Sequence, residues 1–122
     1  MPPPAILVVD DDPALRRALA RILEGEGFGC FEAADGESAL DLMRAYELGL
    51  VVLDYSMPGM DGASVMRRMR RELPRTPATV MLTSGSHQRA QADSLGVPDL
   101  AKPFRVEDLL EAVRSHRPKL DS

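Results

Sequence analysis

Four places in the sequence put reactive side chains directly after short apolar runs. Asp10, Asp11 and Asp12 follow Ala5–Val9; Asp54 follows 50–53; Thr83 and Ser84 follow 79–82; Lys102 and Pro103 follow 100–101. A carboxylate that ends a buried run needs compensation, because an isolated ion in an apolar surrounding is costly. Carboxylates about 4 Å apart repel by roughly 4 kcal/mol at an effective dielectric near 20, and each raises its neighbours' pKa unless a cation sits among them. A hard divalent ion with oxygen ligands removes that conflict, and Mg²⁺ suits a site with few carboxylates and several waters. A metal, an ammonium and a hydroxyl converging on a carboxylate are the parts needed to hold a phosphoryl group, whose transfer depends on positioning and charge neutralisation. The carboxylate can itself be the nucleophile, and Asp54 is the natural choice.

These residues act together only if the fold gathers them. The run Ala5–Val9 reads as a strand, and Asp12-Pro13 reads as a helix cap with Pro in the first turn. Leu15, Ala18, Leu19 and Ile22 recur at helical spacing until Gly25 and Gly27. A second strand is expected over 28–31, and a second helix, marked by Ala39, Leu40 and Met43, after Asp35-Gly36. Further strands are expected over 50–53, 79–82 and 100–101, and helices over 63–73 and 88–95. Val106, Leu109, Leu110 and Val113 mark a fifth helix. Alternation of this kind implies an α/β fold, a doubly wound parallel sheet covered on both faces. The unbroken apolar strands agree, since two-sided burial leaves no polar face. In such sheets the functional crevice lies at the carboxyl ends of the strands, where all four reactive places fall.

Composition narrows the function. The 122 residues suit one domain that needs neither disulfide nor structural metal. The single Cys30 has no partner in the chain, so it is read as a packing residue in a reducing compartment. Nothing resembles a signal peptide, the apolar run at 6–9 is far too short to span a bilayer, and a cytoplasmic location is expected. A net charge of −4 argues against nucleic-acid binding by this domain. Residues 1–4 read as a disordered lead-in and 118–122 as a polar tail or the start of a linker.

The motifs VVDDDP, VVLDYSMPGMDG, VMLTS and AKPF, in this order, resemble the response-regulator receiver domain of two-component signalling. The resemblance runs over 5–117. It implies a flavodoxin-like (βα)5 fold with strand order 2-1-3-4-5. It implies Asp54 as phosphoacceptor, with Mg²⁺ bound by Asp11, by Asp54 and by the backbone carbonyl of Ser56. It implies that Asp10 acts on the metal mainly through water, that Thr83 and Lys102 receive phosphoryl oxygens, and that the Lys102–Pro103 peptide is cis. The implied partners are a histidine kinase or phosphotransfer protein and an unnamed downstream protein.

The sequence departs from that family in one region. The aromatic expected on strand five, three residues before the lysine, is replaced by Asp99, or by Leu100 if the strand is offset. The interval from Thr83 to Lys102 is about three residues short, which is expected to shorten helix four. Ser56 and Gly85, two residues beyond the acceptor and two beyond the threonine, are small and bring no acid or amide to an attacking water, so no strong built-in timer is expected.

Other residues have blander roles. Asp12 is assigned to a helix cap. His87 and His116 read as surface residues. In 66–75, Met66, Met69 and Leu73 face the core and Arg67, Arg68, Arg70 and Arg71 form a solvated face. Two other functions compete. An Asp-nucleophile phosphatase of the haloacid-dehalogenase type needs a second acid two residues on, where Ser56 stands; a nucleotide-binding P-loop is absent. A pseudo-receiver that works without phosphorylation is the alternative that Asp99 keeps open.

Overall fold

The third strand explains the arrangement of the rest. In the computed structural model, which describes residues 5–116, every residue of β3 (Leu48–Asp54) is buried. A strand buried on both faces lies in the middle of a sheet that is covered twice. β3 pairs in parallel with β1 (Ala5–Val9) on one side and β4 (Ala78–Thr83) on the other. β2 (Cys30–Ala33) and β5 (Asp99–Ala101) form the edges, giving the order 2-1-3-4-5.

The side chains of each central strand divide between two cores. Leu7, Val9, Val51, Leu53 and Met81 pack with Ala39, Leu40, Met43, Met66 and Met69. Those belong to α2 (Gly36–Ala45) and α3 (Gly62–Glu72), and Ala92 of α4 (Gly85–Leu95) joins them. Ile6, Val8, Leu50, Val52, Val80 and Leu82 pack with Leu19, Leu23, Leu109 and Val113 of α1 (Pro13–Gly25) and α5 (Val106–His116). Both sets are apolar, so the strands read as unbroken runs.

The helix starts are fixed by aspartates. Asp12 accepts the N–H groups of Ala14 and Leu15 at 3.0 and 3.3 Å, Asp35 that of Ser38 at 2.8 Å, and Asp61 that of Ser64 at 2.8 Å. Each satisfies donors that the first helical turn leaves unpaired.

Several boundaries differ from the sequence expectation. The second strand lies at Cys30–Ala33, not 28–31, in register with Ile6 to Val9 of β1. Phe28 pointed to an earlier strand, while Glu32 concealed the true one. On this edge strand the glutamate is held by Arg16 and Arg17 at 3.1 and 3.3 Å. Helix α4 begins three residues before 88 and keeps eleven residues, the same number as α3 and α5. Ser84 alone joins β4 to α4. The helix buries only Ala92, so little apolar periodicity marks its first turn. The expected lead-in at 1–4 and tail at 118–122 lie outside the described residues.

One glycine holds the loop after β3 against the strand. A Cβ on Gly62 would meet the Tyr55 Cα at 2.8 Å and the Asp54 carbonyl oxygen at 2.9 Å, and its N–H donates to the Tyr55 carbonyl at 2.8 Å. Gly25, at the end of α1, has open space around the same atom. Gly62→Ala is expected to destabilise the domain by about 1–3 kcal/mol, whereas Gly25→Ala is neutral or stabilising by up to about 1 kcal/mol. Urea unfolding of the two variants checks the contrast.

Candidate functional site at the carboxyl ends of the strands

β1 and β3 run side by side with Val9 opposite Leu53, so the residues that follow, Asp10 and Asp54, emerge together. Both are buried, at 1% and 3% exposure, while Asp11 is exposed. Asp10, Asp11 and Asp54 each bring a carboxylate oxygen within 4.8 Å of the others. β5 carries Lys102 to the same place. Its backbone N–H donates to the Thr83 carbonyl at 2.8 Å, its peptide bond to Pro103 is cis, and its Nζ lies 3.0 Å from Asp54 Oδ1 and 3.3 Å from Asp10 Oδ2. Asp10, Asp11, Asp54 and Lys102 therefore meet at one point.

Asp10 is held from several sides. Its Oδ1 accepts the Asp12 N–H at 2.9 Å, and its carbonyl oxygen accepts from Arg16 Nη1 at 3.0 Å. Asp54 has less support. Burial pushes its carboxyl up to about 6; the Lys102 hydrogen bond and charge pull it down, and the charges of Asp10 and Asp11 push it up. Burial works against the Lys102 ammonium, but the hydrogen bond and charge of Asp54, with Asp10 behind, raise it above its ordinary value. Three carboxylates against one ammonium leave two negative charges uncompensated. An all-oxygen donor set with that deficit fits a hard divalent cation.

Thr83 closes the site on the β4 side. It is fully buried, and its hydroxyl donates to Asp99 Oδ2 at 2.9 Å. Asp99 also lies 3.7 Å from Arg89 Nε of α4. In register Thr83 stands opposite Ala101, and it is the Asp99 side chain that reaches back to Thr83, while Leu100 packs into the core under α1 and α5.

Ser56 is exposed, and its hydroxyl accepts from Gln88 Nε2 at 2.7 Å. Gln88 Oε1 in turn accepts the Ser84 N–H at 2.7 Å. Gln88 thus ties the loop after Asp54 to the start of α4, and it places an amide beside Ser56 where the sequence reading had none. Ser84 stands at the N-cap position of α4 without a side-chain cap bond, and no capping-box spacing marks Gln88 in the sequence.

The residues given blander roles fall as follows. Asp12 caps α1. Cys30 is partly buried, and burial, with the charges of Glu24 and Glu32, pushes its thiol up to about 11, away from reactive thiolate. His87 and His116 are exposed. Met66 and Met69 are buried and Leu73 partly so, with Arg67, Arg70 and Arg71 exposed. Arg68 differs from the expectation of a solvated face, since it bridges Glu37 of α2 and Glu72 of α3 at 2.6 and 2.7 Å.

Comparison with known proteins agrees with this geometry. The family model for the response regulator receiver domain matches residues 6–114. The response regulator MprA of Mycolicibacterium vanbaalenii is 40% identical over 93% of this chain and 50% of its own length. The sporulation initiation phosphotransferase F of Bacillus subtilis is 34% identical, with 93% of both chains covered. This chain spans about half the length of most of the curated relatives it matches. Among solved structures, a putative response regulator from Chloroflexus aurantiacus has a TM-score of 0.85 at 32% identity, covering 93% of this chain and 96% of that one. The chemotaxis protein CheY4 of Vibrio cholerae has a TM-score of 0.81 at 28% identity, covering 93% of this chain and 98% of that one. With its matched motifs, its 2-1-3-4-5 sheet and its gathered strand ends, the chain belongs to the response-regulator receiver domains of two-component systems.

Proposed function

We propose that the domain accepts a phosphoryl group on Asp54 in an Mg²⁺-dependent reaction and thereby changes what it binds. The observation that carries this reading is the buried Asp54 carboxylate with Lys102 Nζ at 3.0 Å and the carboxylates of Asp10 and Asp11 within 4.8 Å. The donor is a phosphohistidine on a histidine kinase or phosphotransfer protein. An Asp54 oxygen attacks phosphorus, a P–O bond forms, and the P–N bond breaks. Its electron pair returns to the imidazole, which is protonated from solvent. Asp11, Asp54 and the Ser56 carbonyl would hold Mg²⁺, with Asp10 behind; when bound, the ion neutralises charge on the phosphoryl oxygens. Lys102 supplies the second fixed positive charge, and the Thr83 hydroxyl takes a phosphoryl oxygen after transfer. The domain modifies itself and does not turn over an external substrate. Its output is a contact with a downstream protein, and it makes no direct contact with nucleic acid.

A second reading, a phosphorylation-independent interaction module, draws on one observation: the Thr83 hydroxyl is already engaged by Asp99. Intact mass after incubation with acetyl phosphate and Mg²⁺ separates the two. The phosphoacceptor reading predicts a gain of one phosphoryl group, lost in Asp54→Ala and on chelation of the metal. Lys102→Ala should slow the gain by about 10²-fold, the scale of removing one fixed charge from a transition-state site. An unmodified wild-type chain, with phosphorylated histidine kinases also tried as donors, favours the interaction module.

The burial of Asp54, with the charges of Asp10 and Asp11 beside it, also predicts a stability effect. The folded Asp54 carboxyl titrates near 6, above its ordinary value of 3.8, so the folded chain binds more protons between those values. Stability should therefore fall as pH rises through that window. Asp54→Asn should be more stable than wild type at pH 8 by about 2 kcal/mol, with the gain vanishing near pH 4. Urea unfolding at the two pH values checks this, and Mg²⁺ should narrow the gap at pH 8.

A further inference from the structure

The Thr83 hydroxyl has one proton to donate, and the structure gives it to Asp99 Oδ2 at 2.9 Å. A phosphoryl oxygen on Asp54 calls on the same proton, so the two hydrogen bonds exclude each other. The Thr83 backbone is pinned by β4–β5 pairing and by the Lys102 N–H on its carbonyl, which leaves side-chain rotation as the means of exchange. Asp99 is not stranded when Thr83 turns away. Its side chain is 27% exposed, and Arg89 Nε of α4 stands 3.7 Å from the same Oδ2 that Thr83 holds. A dianionic phosphoryl group nearby also repels the Asp99 carboxylate, which drives it the same way.

Helix α4 is placed to respond. Its apolar packing is the buried Ala92 and the partly buried Leu95 near its end, whereas α3 buries five residues. Polar contacts tie its first turns to the site: Gln88 to Ser56 and Ser84, and Arg89 to Asp99. Little apolar packing has to be remade if those contacts change.

We propose that Asp99 is a positioning residue that couples Asp54 to α4. In the unmodified domain it holds the Thr83 proton. Phosphorylation takes that proton, and the released carboxylate closes on Arg89, drawing the start of α4 and the edge strand β5 into a different arrangement. The partner-binding surface altered by phosphorylation is then the α4–β5 edge. This inference rests on the phosphoacceptor reading above.

The test uses the full chain, acetyl phosphate and Mg²⁺, with two readouts. Intact mass reports loading of Asp54; the Arg89 Nε–H and Asp99 carboxyl resonances report the exchange. In the wild type both resonances should move on loading, and the Arg89 signal should not move in Asp99→Ala. Asp99→Ala frees the Thr83 proton and should raise the initial loading rate about tenfold, the effect of one charge-assisted hydrogen bond. In a Thr83→Val background the same change should alter the rate by less than about twofold, while Thr83→Ser, which keeps the hydroxyl, should restore the full effect. A loaded wild-type chain with both resonances unmoved overturns the inference and leaves the phosphoacceptor reading standing. So does an equal effect of Asp99→Ala with and without Thr83, which would make Asp99 only a repelling charge. A wild-type chain that gains no mass overturns both.

Discussion

Asp54 ends a strand that is buried along its whole length, and its carboxylate is stable there only beside positive charge. Lys102 supplies that charge from the opposite end of the chain order, at 3.0 Å. Much of the fold serves this contact. β4 separates β3 from β5 in the sheet, yet the side chain of Lys102 is long enough to return across Thr83 to Asp54. β5 has only three residues, enough to pair with Met81, Leu82 and Thr83 and set the lysine at the sheet's edge. β1 brings Asp10 beside Asp54, and Gly62 keeps the following loop close. The result is one ammonium among three carboxylates, an arrangement that leaves negative charge for an ion or an electrophile to answer.

The two faces of the sheet divide the labour. Under α1 and α5 the packing is apolar and continuous, including Leu100 and Phe104. On the other face α2 and α3 are well seated and further joined by the Arg68 and Arg44 ion pairs to Glu37 and Glu72. Helix α4 is the exception, anchored by Ala92 and by polar side chains that lead back to the site. A helix held in this way can be moved by a change of charge at the strand ends without disturbing the two cores.

What could be read in the sequence follows the same division. β1 and β3 were legible because two-sided burial leaves only apolar residues, and the meeting of three carboxylates was legible because Asp10 and Asp11 follow β1 and Asp54 ends β3. The helix caps at Asp12, Asp35 and Asp61 carry a local signal of their own. β2 was misplaced because an edge strand tolerates Glu32, which reads as polar until its arginine partners on α1 are known. The first turn of α4 was missed because a helix with one buried side chain has no strong period. The bonds from Thr83 to Asp99 and from Gln88 to Ser56 join residues 16 and 32 positions apart, and only the fold reveals such pairs.

The central claim is that Asp10, Asp11 and Asp54, with Lys102 beside them, form one charge-deficient oxygen site. Titration of the isotope-labelled domain with Mg²⁺, followed through backbone amide resonances, tests it most directly. The account predicts a saturable single-site response centred on 10–12 and 54–56, lost in Asp11→Asn. Weak, non-saturating shifts spread over the surface acids, or a response unchanged in Asp11→Asn, would contradict it.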